Sequence, residues 1–227
     1  MLVLIFCRKG SDTMTTTLIF VRHGESEGNK SGRFNGNANF PLSDKGRAQA
    51  QKTAEYLDKF KLDKIYTSDL LRAKETAQII AKRQNIDITE DKLLREINGG
   101  DFEGERYDEL HRKFPEEFHK WMNDLGNCQC PNGESIRDLL ERFNNKVLEI
   151  VENNKGKTIL IATHAMPIRV MTTVWNKKDI TCVRDVDYVR NASVTVIDYT
   201  DKLNPEIIEY DKAEHLGELI TELPKNV

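Results

Sequence analysis

The chain has 227 residues, 38% of them hydrophobic, and a formal charge of −3 from 34 basic and 37 acidic side chains. That length supports one well-buried core, and a near-neutral charge without a basic run leaves no electrostatic footprint for nucleic acid. Four cysteines in no evident framework argue against a disulfide scaffold and for a reducing, cytoplasmic setting.

In chain order, Leu2-Val3-Leu4-Ile5-Phe6-Cys7 is apolar but lacks a basic n-region and is too short to cross a bilayer. Residues 1–13 are therefore read as an N-terminal extension without a membrane role, with Met14 as an alternative start, and 14–227 as a single domain. Leu18-Ile19-Phe20-Val21 reads as a buried strand within 17–22. A helical pattern covers 44–60, a strand 63–67, and a helix 69–83, with Ser68 as its N-cap and Ala73, Ala77 and Ile80 on one stripe. Residues 86–90 add a weak edge strand. The clearest helix is 134–153, where Ile136, Leu139, Leu140, Phe143, Val147, Ile150 and Val151 mark one face. A strand over 158–163, a helix over 166–175, a strand over 193–198 and a second edge strand over 206–210 follow. Alternating strands and helices predict a layered, three-layer α/β/α fold with a mostly parallel central sheet.

Two strands end in histidine: Arg22-His23-Gly24 follows the first, and Thr163-His164 the fourth. Ligands of open α/β sheets bind beyond the carboxyl ends of strands, and Gly24 permits close backbone approach there. Taken singly, each histidine is as readily a hydrogen-bonded structural residue. Together they predict one crevice holding both imidazoles. Arg72 lies in the first turn of the 69–83 helix, where a cation opposes the macrodipole. A bound anion explains it, and a salt bridge to Asp69 or Glu75 is the alternative.

The run Leu18-Ile19-Phe20-Val21-Arg22-His23-Gly24-Glu25-Ser26-Glu27-Gly28-Asn29 resembles the signature of the histidine phosphatase superfamily, in its phosphoglycerate mutase-like branch. Pro41-Leu42-Ser43 with Gly46 and Gln49-Ala50, then Ser68-Asp69-Leu70 with Arg72-Ala73 and Thr76-Ala77, are similar to later motifs of that family in the same order. So are Leu94-Arg95-Glu96, Phe102-Glu103-Gly104, Pro131-Asn132-Gly133-Glu134-Ser135 and Thr163-His164. The resemblance runs from about Thr17 to about Val196. Two departures stand out: Ala165 follows the second histidine where the family usually has glycine, and Asn39 stands near a frequent aspartate.

The resemblance implies that His23 is a nucleophile forming a phosphohistidine, which divides phosphate monoester hydrolysis into two easier transfers. Its attacking nitrogen must be unprotonated, its lone pair must point at phosphorus, and its other ring nitrogen needs an acceptor such as a carbonyl near Gly24. Arg22 and Arg72 form the clamp, because a guanidinium meets two phosphate oxygens at once and stays charged. His164 donates to the phosphoryl oxygens. Glu96 is the acid for the leaving alkoxide, with Glu103 as rival, and its pKa has to be raised for that task. Asn29 is implied as a phosphate donor, with Ser26 and Asn35 as rim candidates. No metal or other cofactor is expected: Cys128-Gln129-Cys130 has no second pair.

These assignments predict a metal-independent phosphomonoester hydrolase acting on a small phosphorylated metabolite. A cofactor-dependent phosphoglycerate mutase and an inactive phosphate-binding homologue are the alternatives. A mutase has to hold a bisphosphorylated intermediate away from water. Only 34 residues, 97 to 130, separate Glu96 from Pro131, where the mutases carry a longer insertion with an extra basic clamp. The connection, with a cap insertion over about 104–130, places Tyr107, Leu110, Phe114, Phe118, Trp121 and Met122 in two small helices over the pocket. Lys30, Arg33, Arg95, Arg106 and Arg169 are candidates to read a second anion, against the plainer reading that they are surface charge. A homodimer is compatible with the sequence.

Overall fold

The computed structural model describes residues 14–200 and 204–221; the expected extension at 1–13 lies outside them. The elements are β1 (Thr16–Arg22), α1 (Glu27–Lys30), α2 (Asp44–Tyr56), β2 (Lys64–Thr67), α3 (Leu71–Gln84), β3 (Ile88–Glu90), α4 (Tyr107–Lys113), α5 (Pro115–Asn123), α6 (Ile136–Asn153), β4 (Thr158–Thr163), α7 (Ala165–Trp175), β5 (Val194–Tyr199) and β6 (Glu206–Lys212), joined by short 3-10 turns.

The strands form one six-stranded sheet in the order β3-β2-β4-β1-β5-β6. Pairing is parallel from β3 through β1, and antiparallel between β1 and β5 and between β5 and β6. Only β5 therefore runs against the others, and the mostly parallel α/β architecture stands. Leu18, Ile19, Phe20 and Val21 are completely buried, and their alternation assigns Leu18 and Phe20 to one core and Ile19 and Val21 to the other. The same division separates Ile159 and Ile161 from Leu160 and Ala162. A central strand covered on both faces has to be apolar at every position, which is why these runs are continuous. Residues of α2 and α3 close one core and those of α6, α7, α4 and α5 the other.

In the β1–β4 ladder Arg22 pairs with Thr163. His23 and His164 are thus the next residues on adjacent parallel strands. The N–H of His23 donates to the Thr163 carbonyl at 3.0 Å, so the ladder continues to the first histidine.

Element boundaries moved by a few residues. The 44–60 helix ends at Tyr56 and continues as a 3-10 turn over Leu57–Lys59. Ser135 caps α6 through a capping box with Asp138. Ser68 is not the N-cap of the next helix: α3 begins after Leu70, which makes no side-chain cap bond. Asn39 Oδ1 instead accepts from the Leu71 N–H at 2.7 Å, so the amide at the position of the family's aspartate caps that helix from a distant loop.

Candidate active site

Four crossover connections deliver side chains to the carboxyl edge of the sheet. The end of β1 supplies Arg22 and His23, the start of α3 Arg72, the segment after β3 Glu96, and the end of β4 His164. Arg22, His23, Asn29, Asn35 and Glu96 line one pocket with Tyr107, Trp121 and Tyr188. The ring centroids of His23 and His164 lie 5.2 Å apart, edge to face.

His23 is 2% exposed. Its Nδ1 is 2.6 Å from the Gly24 carbonyl oxygen, which can only accept, so the proton resides on Nδ1. Nε2 is then the lone-pair nitrogen, and it accepts from Arg72 Nε at 3.1 Å. The carbonyl acceptor near Gly24 is where the sequence placed it, but the nitrogen expected to attack is engaged by an arginine rather than open. Burial, and then the charges of Arg72 and Arg22, hold the imidazole pKa well below its ordinary value, so it is neutral at pH 7.

Arg72 is completely buried. Besides His23 it donates to the carbonyls of Asn35 at 2.6 Å, Gly36 at 2.7 Å and Ala38 at 2.8 Å. Neither Asp69 nor Glu75 compensates it: Asp69 makes a two-point pair with Arg95 at 2.6 Å, and Glu75 accepts from Arg47 at 2.6 Å. Burial lowers the Arg72 pKa to about 10, which still leaves the guanidinium charged. Thr76 ties its helix to the first histidine segment, accepting from Gly24 N–H at 3.1 Å and donating to the Arg72 carbonyl at 2.8 Å. The absent side chain of Gly24 serves α2 rather than a ligand, since a Cβ there would lie 2.4 Å from the Gly46 carbonyl oxygen.

Arg22 is held by the Val189 carbonyl and packs its guanidinium 5.1 Å from the centre of the Tyr188 ring, while its Nε is buried without a partner. His164 is fully buried, with Nε2 at 2.9 Å from Ser68 Oγ and Nδ1 without a partner. Burial, then the charge of Arg72, depresses its pKa well below the ordinary value, so this imidazole is neutral too.

Glu96 accepts from the N–H groups of Ile97 at 2.9 Å and Met166 at 3.3 Å. Burial nevertheless raises its pKa, outweighing those two donors and the charges of Arg72 and Arg22. Arg142, paired with Glu134 at 2.7 Å, supports the segment by donating to the carbonyls of Leu93, Arg95 and Glu96. The rival Glu103 is excluded from the pocket by its own hydrogen bonds. Its Oε1 accepts from Asn37 N–H at 2.6 Å and Gly99 N–H at 2.7 Å, and its Oε2 from Ala38 N–H at 2.6 Å.

Asn29 turns Oδ1 toward the Ser26 N–H at 3.1 Å and Ser26 Oγ at 2.9 Å, which leaves Nδ2 as the donor it can offer the pocket. Ser26 is not a rim residue: it is fully buried, caps α1, and its hydroxyl also accepts from Asn29 N–H and Asn35 Nδ2. Asn35 lines the pocket with Oδ1 unpartnered.

The basic residues considered for a second anion are occupied elsewhere. Lys30 pairs with Glu27 at 3.9 Å, Arg33 donates to the Gly104 carbonyl at 2.6 Å, and Arg106 pairs with Asp108 at 3.1 Å. Arg169 donates to the Val186 carbonyl at 2.8 Å. Residues that the sequence reading did not single out come from the irregular segment before β5. Tyr188 supports Arg22, and Asn191 Nδ2 donates to the His23 carbonyl at 3.1 Å and lies 3.4 Å from Asn29 Oδ1. Among the described residues, no group of three or more His, Cys, Asp or Glu side chains is arranged to hold a metal, and no helix is long and apolar enough to cross a membrane. Cys128 and Cys130 are buried free thiols.

The profile of the histidine phosphatase superfamily (branch 1) matches residues 18–209. Phosphoserine phosphatase 1 of Hydrogenobacter thermophilus is 31% identical over 210 residues, 92% of this chain and 99% of that protein. Phosphoglycerate mutase-like protein 4 of Arabidopsis thaliana is 34% identical over 204 residues, covering 88% of this chain and 87% of its own. The solved structure of Bacillus stearothermophilus YhfR superposes with a TM-score of 0.85 at 31% identity, over 88% of this chain and 99% of that one. A profile spanning most of the chain, together with relatives of this identity and coverage, places the chain in the histidine phosphatase superfamily, on its phosphoglycerate mutase-like side.

Proposed function

We propose that this protein hydrolyses a small phosphate monoester without a metal ion, through a phosphohistidine on His23. The observation that carries the reading is the pairing of a neutral His23, its proton fixed on Nδ1 by the Gly24 carbonyl, with a Glu96 carboxyl that burial keeps protonatable in the same pocket. The relative named as a phosphoserine phosphatase supports hydrolysis of a small metabolite.

In the first step His23 Nε2 attacks phosphorus while Glu96 gives its proton to the departing alkoxide. In the second the Glu96 carboxylate takes a proton from the water that attacks the phosphohistidine. Arg22, Arg72 and the Asn29 amide neutralise charge on the equatorial oxygens. As a phosphoryl group enters, Arg72 Nε–H moves from His23 Nε2 to a phosphoryl oxygen.

A mutase needs a second anion clamp. Arg33, Arg95 and Arg169 are held by protein partners, and Lys30 and Arg106 stand in exposed pairs rather than converging on the pocket, which favours hydrolysis over retention of a bisphosphate. The test is phosphate release over a metabolite panel in excess chelator, with conversion of 3-phosphoglycerate assayed in parallel. Acid-labile phosphate on His23 and loss of turnover in His23→Ala are expected. Turnover that survives His23→Ala, or that chelator abolishes, overturns the reading.

A further inference from the structure

We infer that Ser68 is a positioning residue that sets the proton of His164 on Nδ1, so that this imidazole presents an N–H to the phosphoryl group; the catalytic part of this inference rests on the function proposed above. The starting observation is a count of donors and acceptors. Ser68 is fully buried at the end of β2. Its backbone is fixed from two sides, with its N–H donating to the Ala162 carbonyl of β4 at 3.0 Å and its carbonyl accepting from Thr67 Oγ1 at 3.0 Å. Its Oγ accepts from the Leu70 N–H at 3.3 Å and lies 2.9 Å from His164 Nε2.

A buried hydroxyl has one proton to give. Among the described residues, the partner available to receive it is His164 Nε2. If Nε2 accepts, Ser68 is fully satisfied and the ring proton resides on Nδ1. If Nε2 instead carries the proton, Ser68 Oγ accepts twice, its own proton has no acceptor, and Nδ1 is left as a bare lone pair in a buried place. The first arrangement leaves one buried group unpaired and the second leaves two, so the first is favoured.

The group left over is the informative one. His164 Nδ1 is buried without a partner among the described residues, on a ring whose centroid is 5.2 Å from that of His23. Arg72 and Arg22 are among the charges that act most strongly on it. A donor kept waiting beside two guanidinium groups and a nucleophile matches an anionic oxygen, and no acceptor among the described residues meets it. Ser68 sits where a helix cap was expected, and its hydrogen bond to His164 accounts for the difference.

The test uses full-length protein labelled with ¹⁵N-histidine and long-range ¹H–¹⁵N correlation. In the wild type His164 should show a protonated Nδ1 and a pyridine-like Nε2. In Ser68→Ala, and in Ser68→Cys as the near-isosteric variant with a poor donor, the ring should shift toward the Nε2–H form. Phosphate release should lose kcat by about tenfold, the equivalent of one net hydrogen bond, with KM within about twofold, and Ser68→Thr should restore both readouts. A wild-type ring protonated on Nε2, or variants that lose thermal stability while His164 keeps its Nδ1 proton and kcat, overturns the inference. Failure of the phosphohistidine reading shows up separately, as turnover that survives His23→Ala, and leaves the tautomer measurement to decide on Ser68.

Discussion

Arg72 Nε donates to His23 Nε2 across 3.1 Å, so a fully buried guanidinium covers the lone pair that attacks phosphorus in the proposed reaction. Together with burial the Arg72 charge keeps the imidazole neutral, and in the proposed reaction the contact gives way when phosphate oxygens offer the guanidinium a better acceptor. Replacing Arg72 by lysine keeps a charge and loses the fork that spans Asn35, Gly36, Ala38 and His23. We expect Arg72→Lys to lower kcat on the order of 10²-fold, the size seen when one preorganised donor to a transition state is removed. Thermal denaturation should show a loss of stability as well, because three backbone carbonyls, that of Gly36 buried and those of Asn35 and Ala38 half-buried, lose their donor; an unchanged Tm would mean that the carbonyls find other partners.

Glu96 is the proton donor in this scheme, so its removal should depend on the leaving group. Glu96→Gln should cut kcat for an alkyl phosphate by about 10²–10⁴-fold, the usual range for general acid catalysis. An aryl ester such as 4-nitrophenyl phosphate, whose phenolate leaves unaided, should suffer far less. Equal losses on both substrates would remove Glu96 from the acid role.

The rate should also carry the signs of the two shifted groups. His23, depressed by burial, loses its proton well below pH 6.5, so kcat/KM rises through that lowered pKa. Glu96, raised above the usual carboxylate value by burial, has to keep its proton to act as the acid, so kcat/KM falls as pH rises through its raised pKa. The falling limb is the diagnostic one. It should flatten in Glu96→Gln when 4-nitrophenyl phosphate is the substrate, measured over about pH 4 to 9 around the reference values of these groups.

Stability should weaken with acid for a related reason. His23, His164 and His215 are all pushed below the ordinary imidazole pKa, each with burial as the leading cause. The unfolded chain binds protons at these positions as pH drops through about 6.5 while the folded chain does not, so stability is lost below that value. Glu96 acts in the opposite sense, because the folded state holds its proton more tightly. The three histidines outnumber it, and Tm should fall between pH 7.5 and 5.5. His23→Asn should reduce the slope; an unchanged slope would place the pH dependence elsewhere.

Glu103 should prove to be support for the clamp rather than a source of protons. Three N–H groups converge on its carboxylate, two of them from the loop whose carbonyls hold Arg72. Glu103→Gln turns an NH₂ group toward those donors and should lower kcat/KM similarly for alkyl and aryl esters, unlike Glu96→Gln. Gly36→Ala attacks the same loop from within: a Cβ there would lie 2.2 Å from Glu103 Oε1 and 2.5 Å from the Ile97 carbonyl oxygen. The expected cost is about 1–3 kcal/mol of stability, as for other overpacked sites, read from chemical denaturation.

The strands were legible because the centre of the sheet is buried on both faces. Leu18 through Val21 and Ile159 through Ala162 have no polar position to interrupt them. Both histidines were legible because each follows such a run directly. Ser68 was misread because a serine just ahead of a helical pattern looks like a cap whether or not its hydroxyl turns toward the helix. Apart from His23, the partners of Arg72 left no trace in the sequence, since they are backbone carbonyls and a carbonyl has no residue code. The same holds for the basic residues: Arg33 and Arg169 bond to carbonyls rather than to carboxylates, so their neutral surroundings could not be inferred from charge patterning. Tyr188 and Asn191 sit in irregular chain without periodicity, where no pattern marks a contact with the site.

The pairing of Arg22 with Thr163 has a consequence for how this chain tolerates change in length. Each imidazole takes its place by counting residues along its strand, so the two strands act as a pair of rulers read from the same zero. Lengthening the loop ahead of either strand leaves that count intact. Adding or deleting a single residue inside β1 or β4 shifts one ring by about 3.3 Å along the sheet and flips it to the opposite face, so variants of that kind divide the work of folding from the work of chemistry.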